Sequence, residues 1–408
     1  MPTHQTQQQT SCKVCGESSW QEIETLMSGI WDKSQTALCR QVLHFPIGRC
    51  RYCHHVQVSI NYTQEIFAAL YFSNQVEPDM WCDTPLGEKS PYEEMLEFIR
   101  PSIKEGAHIV DFGAGAGITL KYIEDSCKAY SLTLASVDFH NHIQSETIKY
   151  LGADLNKLEA IQGKFDAKPI SLAISTHVLE HVVEPIHFLS QIAKMMAENG
   201  YIFIEVPDCS PDAYTDHLAF TNLVHGQHIH YYSKESLAQI VRLAGLSVVK
   251  QQQLTTGDIP RLLLLLKQSN SASPRAISSI EHDASKAVTK RFNDYQSYQT
   301  SLFKQLQQAL IDNKKIGLWG VGGDFYQLTQ SYPELIQWIT CNRVTLYDYE
   351  LAGHIFAGAE ILSSSEIKYV KYPVIILPIY GPTREKMKRI SMNWKVEVID
   401  PYSYLLCQ

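Results

Sequence analysis

Nothing in this 408-residue sequence is apolar for long enough to span a membrane, and the run Leu262 to Leu266 is only strand-sized. The opening stretch, Met1 to Thr10, is polar and rich in glutamine, without the basic start and apolar centre of an export signal. A surplus of basic residues is also missing. The formal net charge of -8 argues against a nucleic-acid or acidic-membrane partner. These absences predict a cytoplasmic protein. With 45% hydrophobic and 19% charged residues the composition is that of ordinary globular domains, and the length suits two or three of them. Ten cysteines scattered over such a length make no disulfide framework.

Four of those cysteines are not scattered. Cys12-Lys13-Val14-Cys15 and Cys50-Arg51-Tyr52-Cys53 are two CxxC knuckles. Each knuckle can aim two thiolates at one cation, and two knuckles complete a tetrahedral sulfur site. Redox-active CxxC pairs open a helix in a thioredoxin-like unit, a context that neither pair has. The spacing therefore predicts a closed, structural zinc site, with the intervening segment folded as a hairpin or an excursion. Cys39, His44, His54 and His55 lie nearby as exchangeable or outer partners.

Beyond an aromatic, helix-prone stretch from Tyr62 to Arg100, strands and helices alternate. The pattern predicts strands at Ala107–Phe112, Leu132–Val137, Ile170–Ser175 and Tyr201–Val206. Helices are expected from about Ile118 to Tyr130, through Met196 and at Leu237–Ala244, before two closely spaced strands at Ser247–Gln252 and Pro260–Lys267. Such alternation implies a largely parallel sheet covered on both faces, and the two late strands suggest an antiparallel edge. Gln268 to Pro274 reads as a linker, about Ala276 to Asn313 as a long helix, and Lys315 onward as a second small α/β unit.

The most informative string is Asp111-Phe112-Gly113-Ala114-Gly115-Ala116-Gly117, an apolar strand running into small residues that let a ligand approach the backbone. A dinucleotide loop would need its third glycine at position 118, where Ile118 stands. Asp138, ending the next strand, is placed to accept ribose hydroxyls. The string resembles the (D/E)xGxGxG signature of class I S-adenosylmethionine-dependent methyltransferases. His177-Val178-Leu179-Glu180-His181 likewise resembles their post-strand-four segment, which implies that His177 lies near the cofactor and that Glu180 and His181 begin a helix.

The order of parts is similar to that of the sugar C-methyltransferases, which act on nucleotide-linked 4-keto-deoxysugars. That resemblance implies a zinc-binding module over 1–60 and a Rossmann-like α/β methyltransferase core with a helical cap over 61–267. It further implies a linker and long helix over 268–314 and a C-terminal substrate- or nucleotide-binding α/β domain over 315–408. The family stretch Tyr-His-Glu-His-x-x-Tyr-Phe-Ser corresponds here to His225-Gly226-Gln227-His228-Ile229-His230-Tyr231-Tyr232-Ser233. It implies His228 as the base for an α-proton, with His225 and Gln227 where the family has an assisting Tyr and Glu. Gln227 can neither act as a base nor support an imidazolium, so an O- or N-methyltransferase of another small metabolite is the alternative expectation. The family's glycine turn with a following lysine is Gly320-Val321-Gly322-Gly323-Asp324 here, and Asp324 at a helix start can cap its N–H groups and repel a phosphate. The expected partners are S-adenosyl-L-methionine, zinc and a nucleotide sugar, in a monomer or homodimer.

Overall fold

The computed structural model describes residues 9–67, 70, 89–213, 226–255, 259–269, 276–379 and 381–401. Between the two knuckles the chain forms one long antiparallel hairpin, β1 (Trp20–Asp32) and β2 (Cys39–Cys50), with Trp20 opposite Cys50. In β2 every second side chain, Leu43, Phe45 and Ile47, is buried, the period of a half-covered strand. β3 (Val56–Val58) extends this sheet, and a short helix, α1 (Gln64–Phe67), follows.

Ahead of the central sheet, α2 (Pro91–Ile99) starts on a capping box between Ser90 and Glu93 with Pro91 in its first turn. β4 (His108–Phe112), α3 (Ile118–Ser126), β5 (Thr133–Asp138), β6 (Ile148–Gly152) and β7 (Ile170–Thr176) come next. They are followed by α4 (Pro185–Lys194), β8 (Met196–Pro207), the two-residue strand β9 (His230–Tyr231), α5 (Lys234–Leu243), β10 (Leu246–Leu254) and β11 (Arg261–Gln268). The sheet order is β10-β11-β8-β7-β4-β5-β6, with β11 antiparallel to both neighbours and the other pairings parallel. The chain leaves β4 toward β5 on one side and later returns to β7 on the other. A crevice therefore opens beyond the carboxyl ends of β4 and β7, the place where such sheets bind ligands.

β9 does not join this sheet. It pairs with β3, Val56 facing Tyr231 and Gln57 facing His230, so the cysteine-bearing sheet is completed by a strand from the catalytic region.

The long helix α6 (Ser285–Asp312) buries Val288, Phe292, Tyr295, Leu302, Leu306 and Leu310 along one stripe. It leads to β12 (Ile316–Trp319), α7 (Gly323–Ser331), α8 (Glu334–Thr340), β13 (Val344–Asp348), β14 (Ile355–Phe356), β15 (Ala359–Ser363), β16 (Val374–Ile376), α9 (Gly381–Ser391) and β17 (Val398–Ile399). These strands form a third sheet in the order β14-β15-β13-β12-β16-β17, parallel except for β14. The far end of the β1–β2 hairpin docks here. The Trp31 indole donates to the Val321 carbonyl at 2.8 Å, and the Leu38 amide to the Ile355 carbonyl at 2.8 Å.

Two expectations are corrected, and one strand was not foreseen. The long helix begins at Ser285, with Ala284 at its start, rather than near Ala276. The helix after β7 begins at Pro185, which is suited to a first turn. Glu180 and His181 therefore lie in the preceding turn, where the Glu180 carbonyl accepts from the Ile229 amide at 2.8 Å and the His230 amide at 3.2 Å. β6, an edge strand in which only Ile148 and Leu151 are buried, gives too weak an alternation to have been foreseen. Among the described residues, no helix is long and apolar enough to cross a membrane.

Candidate active site

The glycine loop lies at the crevice. Gly113 and Gly117 both have left-handed backbones, at φ 85° and 71°. A Cβ on Gly113 would stand 2.3 Å from Val178 Cγ2, and one on Gly117 would stand 2.5 Å from Ile143 Cδ1. Both positions thus require glycine for conformation and for space. The Asp138 carboxylate accepts from the Gly115 amide at 2.8 Å and the Phe139 amide at 2.6 Å, which fixes it against the loop. Asp111 is buried beneath, with Oδ1 unpaired. Burial and the neighbouring Asp138 raise its carboxyl to about 8. An unpaired buried acceptor beside a cradle of glycines fits a ligand with a cationic end.

Val178 connects this loop to the histidine-rich turn. His177, directly after β7, also has a left-handed backbone, at φ 53°. Its Nε2 meets Glu205 Oε1 at 3.1 Å, and its Nδ1 faces Glu180 Oε1 at 3.4 Å. Burial alone would lower this imidazole, but Glu180 and Glu205 outweigh it and raise it to about 9. Glu205 is in turn 3.4 Å from Arg261, a fully buried guanidinium that also pairs with Glu94 from α2.

His228 reaches the same turn from across the molecule. Its Nε2 lies 3.9 Å from Glu180 Oε1, and its ring meets that of His181 edge-on with centroids 4.8 Å apart. His181 donates through Nδ1–H to the Gln227 carbonyl at 3.0 Å and points Nε2 at Glu180 Oε1 from 3.9 Å. Glu180 is buried, and among the described residues neither carboxylate oxygen completes a hydrogen bond. The donor atoms of Glu180, His181 and His228 all lie within 4.8 Å of one another.

Of the residues singled out in the sequence, the loop, Asp138, His177 and His228 thus come to one crevice. Gln227 adjoins it through its backbone, while its side-chain amide donates to the Leu70 carbonyl at 3.1 Å. His225 lies outside the described residues. Glu180 is the member that sequence reasoning assigned to a helix start, since its approach to His228 is a tertiary contact with no local signature.

The four knuckle cysteines form a second cluster, with all sulfurs within 4.8 Å of one another. Cys12 and Cys53 sulfurs are 3.6 Å apart, and Cys15 and Cys50 are 3.5 Å apart. A disulfide needs roughly 2.05 Å. A tetrahedral site with metal–sulfur bonds of about 2.3 Å has sulfur–sulfur edges of roughly 3.8 Å, close to what is seen. Hydrogen bonding with the Cys12 and Cys53 side chains lowers the Cys50 thiol most, and the backbone N–H groups of Cys53 and Tyr52 lower it further. Burial raises the Cys15 thiol. The donor set therefore fits zinc. His44 is exposed, His54 Nδ1 meets the Ile280 carbonyl at 2.9 Å, and His55 Nε2 meets His230 Nδ1 at 3.0 Å, so none of them joins the sulfurs. The side chain of Cys39 lies outside those described.

In the third sheet Asp324 does not cap its own helix. One oxygen accepts from the Tyr295 hydroxyl at 3.1 Å and the other from the Ile379 amide at 2.9 Å. It clasps α6 and the segment after β16 around the glycine turn.

Residues 88–251 match the family model of a methyltransferase domain. None of the curated proteins matches. Among solved structures, the Burkholderia thailandensis 1,6-didemethyltoxoflavin-N1-methyltransferase, bound to 1,6-didemethyltoxoflavin and S-adenosylhomocysteine, superposes with a TM-score of 0.39. It is 14% identical over 53% of this chain and 96% of that one. A Haemonchus contortus phosphoethanolamine N-methyltransferase gives 0.35 at 10% identity, over 44% of this chain and 52% of its own. An O-methyltransferase family protein from Burkholderia thailandensis gives 0.32 at 15% identity, over 44% and 59%. The sheet order, the glycine loop and the family match define a class I methyltransferase domain with a Rossmann-like fold. The chain is an enzyme of that class, whose methyl donor is S-adenosylmethionine.

Proposed function

We propose that this enzyme methylates a carbon next to a ketone in a nucleotide-linked deoxysugar, with His228 as the base. The observation that carries the reading is the position of His228, buried beside Glu180 in the crevice that the glycine loop also borders. S-adenosylmethionine, when bound, supplies an electrophilic methyl group. Asp138 would hold its ribose, the glycine loop would admit its backbone-hugging portion, and Asp111 would face its cationic end. His228 would take the α-proton, leaving the carbon's electron pair for the methyl group that S-adenosylmethionine would supply. The cysteine cluster holds a structural zinc, in keeping with its sulfur spacing. The described cysteines form no disulfide. The third sheet is proposed as the substrate-side domain, although Asp324, engaged by Tyr295 and Ile379, places a carboxylate where a diphosphate would bind a cation.

Gln227 favours a second reading, methylation of an oxygen or nitrogen in another small metabolite, because such acceptors need less acid–base assistance. Labelled S-adenosylmethionine offered with a panel of nucleotide-linked keto-deoxysugars separates the two. Transfer to carbon that is lost in His228→Ala supports the first. Transfer only to oxygen or nitrogen, unaffected by His228→Ala, overturns it.

A further inference from the structure

Glu180 is buried, and among the described residues neither of its carboxylate oxygens completes a hydrogen bond. Three imidazoles surround it: His177 Nδ1 at 3.4 Å, His181 Nε2 at 3.9 Å and His228 Nε2 at 3.9 Å from the same oxygen. A buried carboxylate with no hydrogen bond is costly, and a cation beside it removes that cost. Who supplies the cation follows from the surroundings. His177 is shared with Glu205, which is itself shared with Arg261 and, through it, Glu94. His177 therefore divides its two ring nitrogens between Glu180 and Glu205. His181 is biased toward the neutral ring by burial. From the remaining elements, the Tyr232 hydroxyl donates to the Leu179 carbonyl, and Cys209 feels both Glu180 and Arg291. His228 Nε2 is the third imidazole nitrogen that faces the Glu180 carboxylate.

We propose that Glu180 is the positioning carboxylate of His228, supporting from the turn after β7 the imidazolium that the amide of Gln227 cannot support. The mechanistic meaning rests on the carbon-methylation reading, but the physical link between the two residues does not. Removal of an α-proton puts a positive charge on His228 as the bond to carbon breaks. A buried carboxylate 3.9 Å away favours that charged form most in the step that creates it.

The test uses the full chain with its bound zinc and saturating S-adenosylhomocysteine, with histidine rings isotopically labelled and the His228 signal assigned by its loss in His228→Ala. In Glu180→Gln the titration midpoint of His228 is expected to fall by about one unit, a tenfold weaker proton affinity. Glu180→Asp should restore part of the shift. An unmoved His228 midpoint in a Glu180→Gln protein that still binds S-adenosylhomocysteine overturns the proposal. If Glu180→Gln fails to bind and fold, Glu180→Ala, which also removes the carboxylate, is decisive, and an unmoved midpoint there overturns the proposal equally. Uptake of manganese by the native protein that is lost in Glu180→Gln also overturns it, since Glu180 would then be a metal ligand. A shifted midpoint together with no transfer to any keto-sugar supports the Glu180–His228 link while refuting the carbon-acceptor reading.

Discussion

The amide of Val58 donates to the carbonyl of Ile229 at 2.8 Å, which ties β3 of the cysteine-bearing sheet to the residue following His228. The sulfur cluster thus sits at one end of a sheet whose other end presents the proposed base. The glycine loop belongs to a different sheet.

This arrangement predicts an uneven response to metal removal. Stripping zinc by chelation, or replacing Cys50 with serine, should loosen β3 and β9 before the cofactor loop. Hydrogen exchange should show protection at Val58, Ile229 and His230 falling at least about tenfold, roughly 1.4 kcal/mol of local opening free energy. Affinity for S-adenosylhomocysteine should change far less. Equal loss of protection at Gly113 and Gly115 would refute the uneven coupling.

Gly113 offers a sharper perturbation. Alanine there adds a left-handed strain and a clash with Val178, together costing about 2–4 kcal/mol. Gly113→Ala should lower the thermal midpoint and weaken S-adenosylhomocysteine binding at least tenfold. Adding Val178→Ala should recover the clash but not the strain, so only part of the stability should return. Full recovery would show that the backbone conformation is not the constraint.

His177 gives a pH signature. Its folded-state value is raised to about 9 from an ordinary value near 6.5, so the stabilisation is fully present below about 6.5 and lost as pH rises through about 9. The side chain keeps a fifth of its surface open, which reduces the expected contribution to about 2 kcal/mol. Denaturant unfolding between pH 6.5 and 9.5 should show that decline, and His177→Gln should flatten it. An unchanged slope in His177→Gln would assign the decline to another group.

The legible parts of the molecule are those written locally. Asp111 to Gly117 is a strand and a turn within seven residues, and its conformation is dictated by its own glycines. The two knuckles declare a sulfur site by spacing alone. What was not legible depends on contacts between distant segments. β9 is two residues long and exists because β3, far earlier in the chain, offers it a partner. Glu180 reads as a helix-start carboxylate until Pro185 is seen to set the helix boundary and His228 to approach from the other side. Asp324 has the position of a helix cap, yet Tyr295 and Ile379 claim both its oxygens.

The central claim is that the glycine loop and Asp138 hold S-adenosylmethionine. Calorimetry with S-adenosylhomocysteine tests it most directly, on the native protein and on Asp138→Ala. The structure predicts one site per chain, with affinity falling at least about tenfold, or 1.4 kcal/mol, when Asp138 is replaced. No detectable heat and no thermal shift in the folded native protein, or undiminished binding in Asp138→Ala, would contradict it.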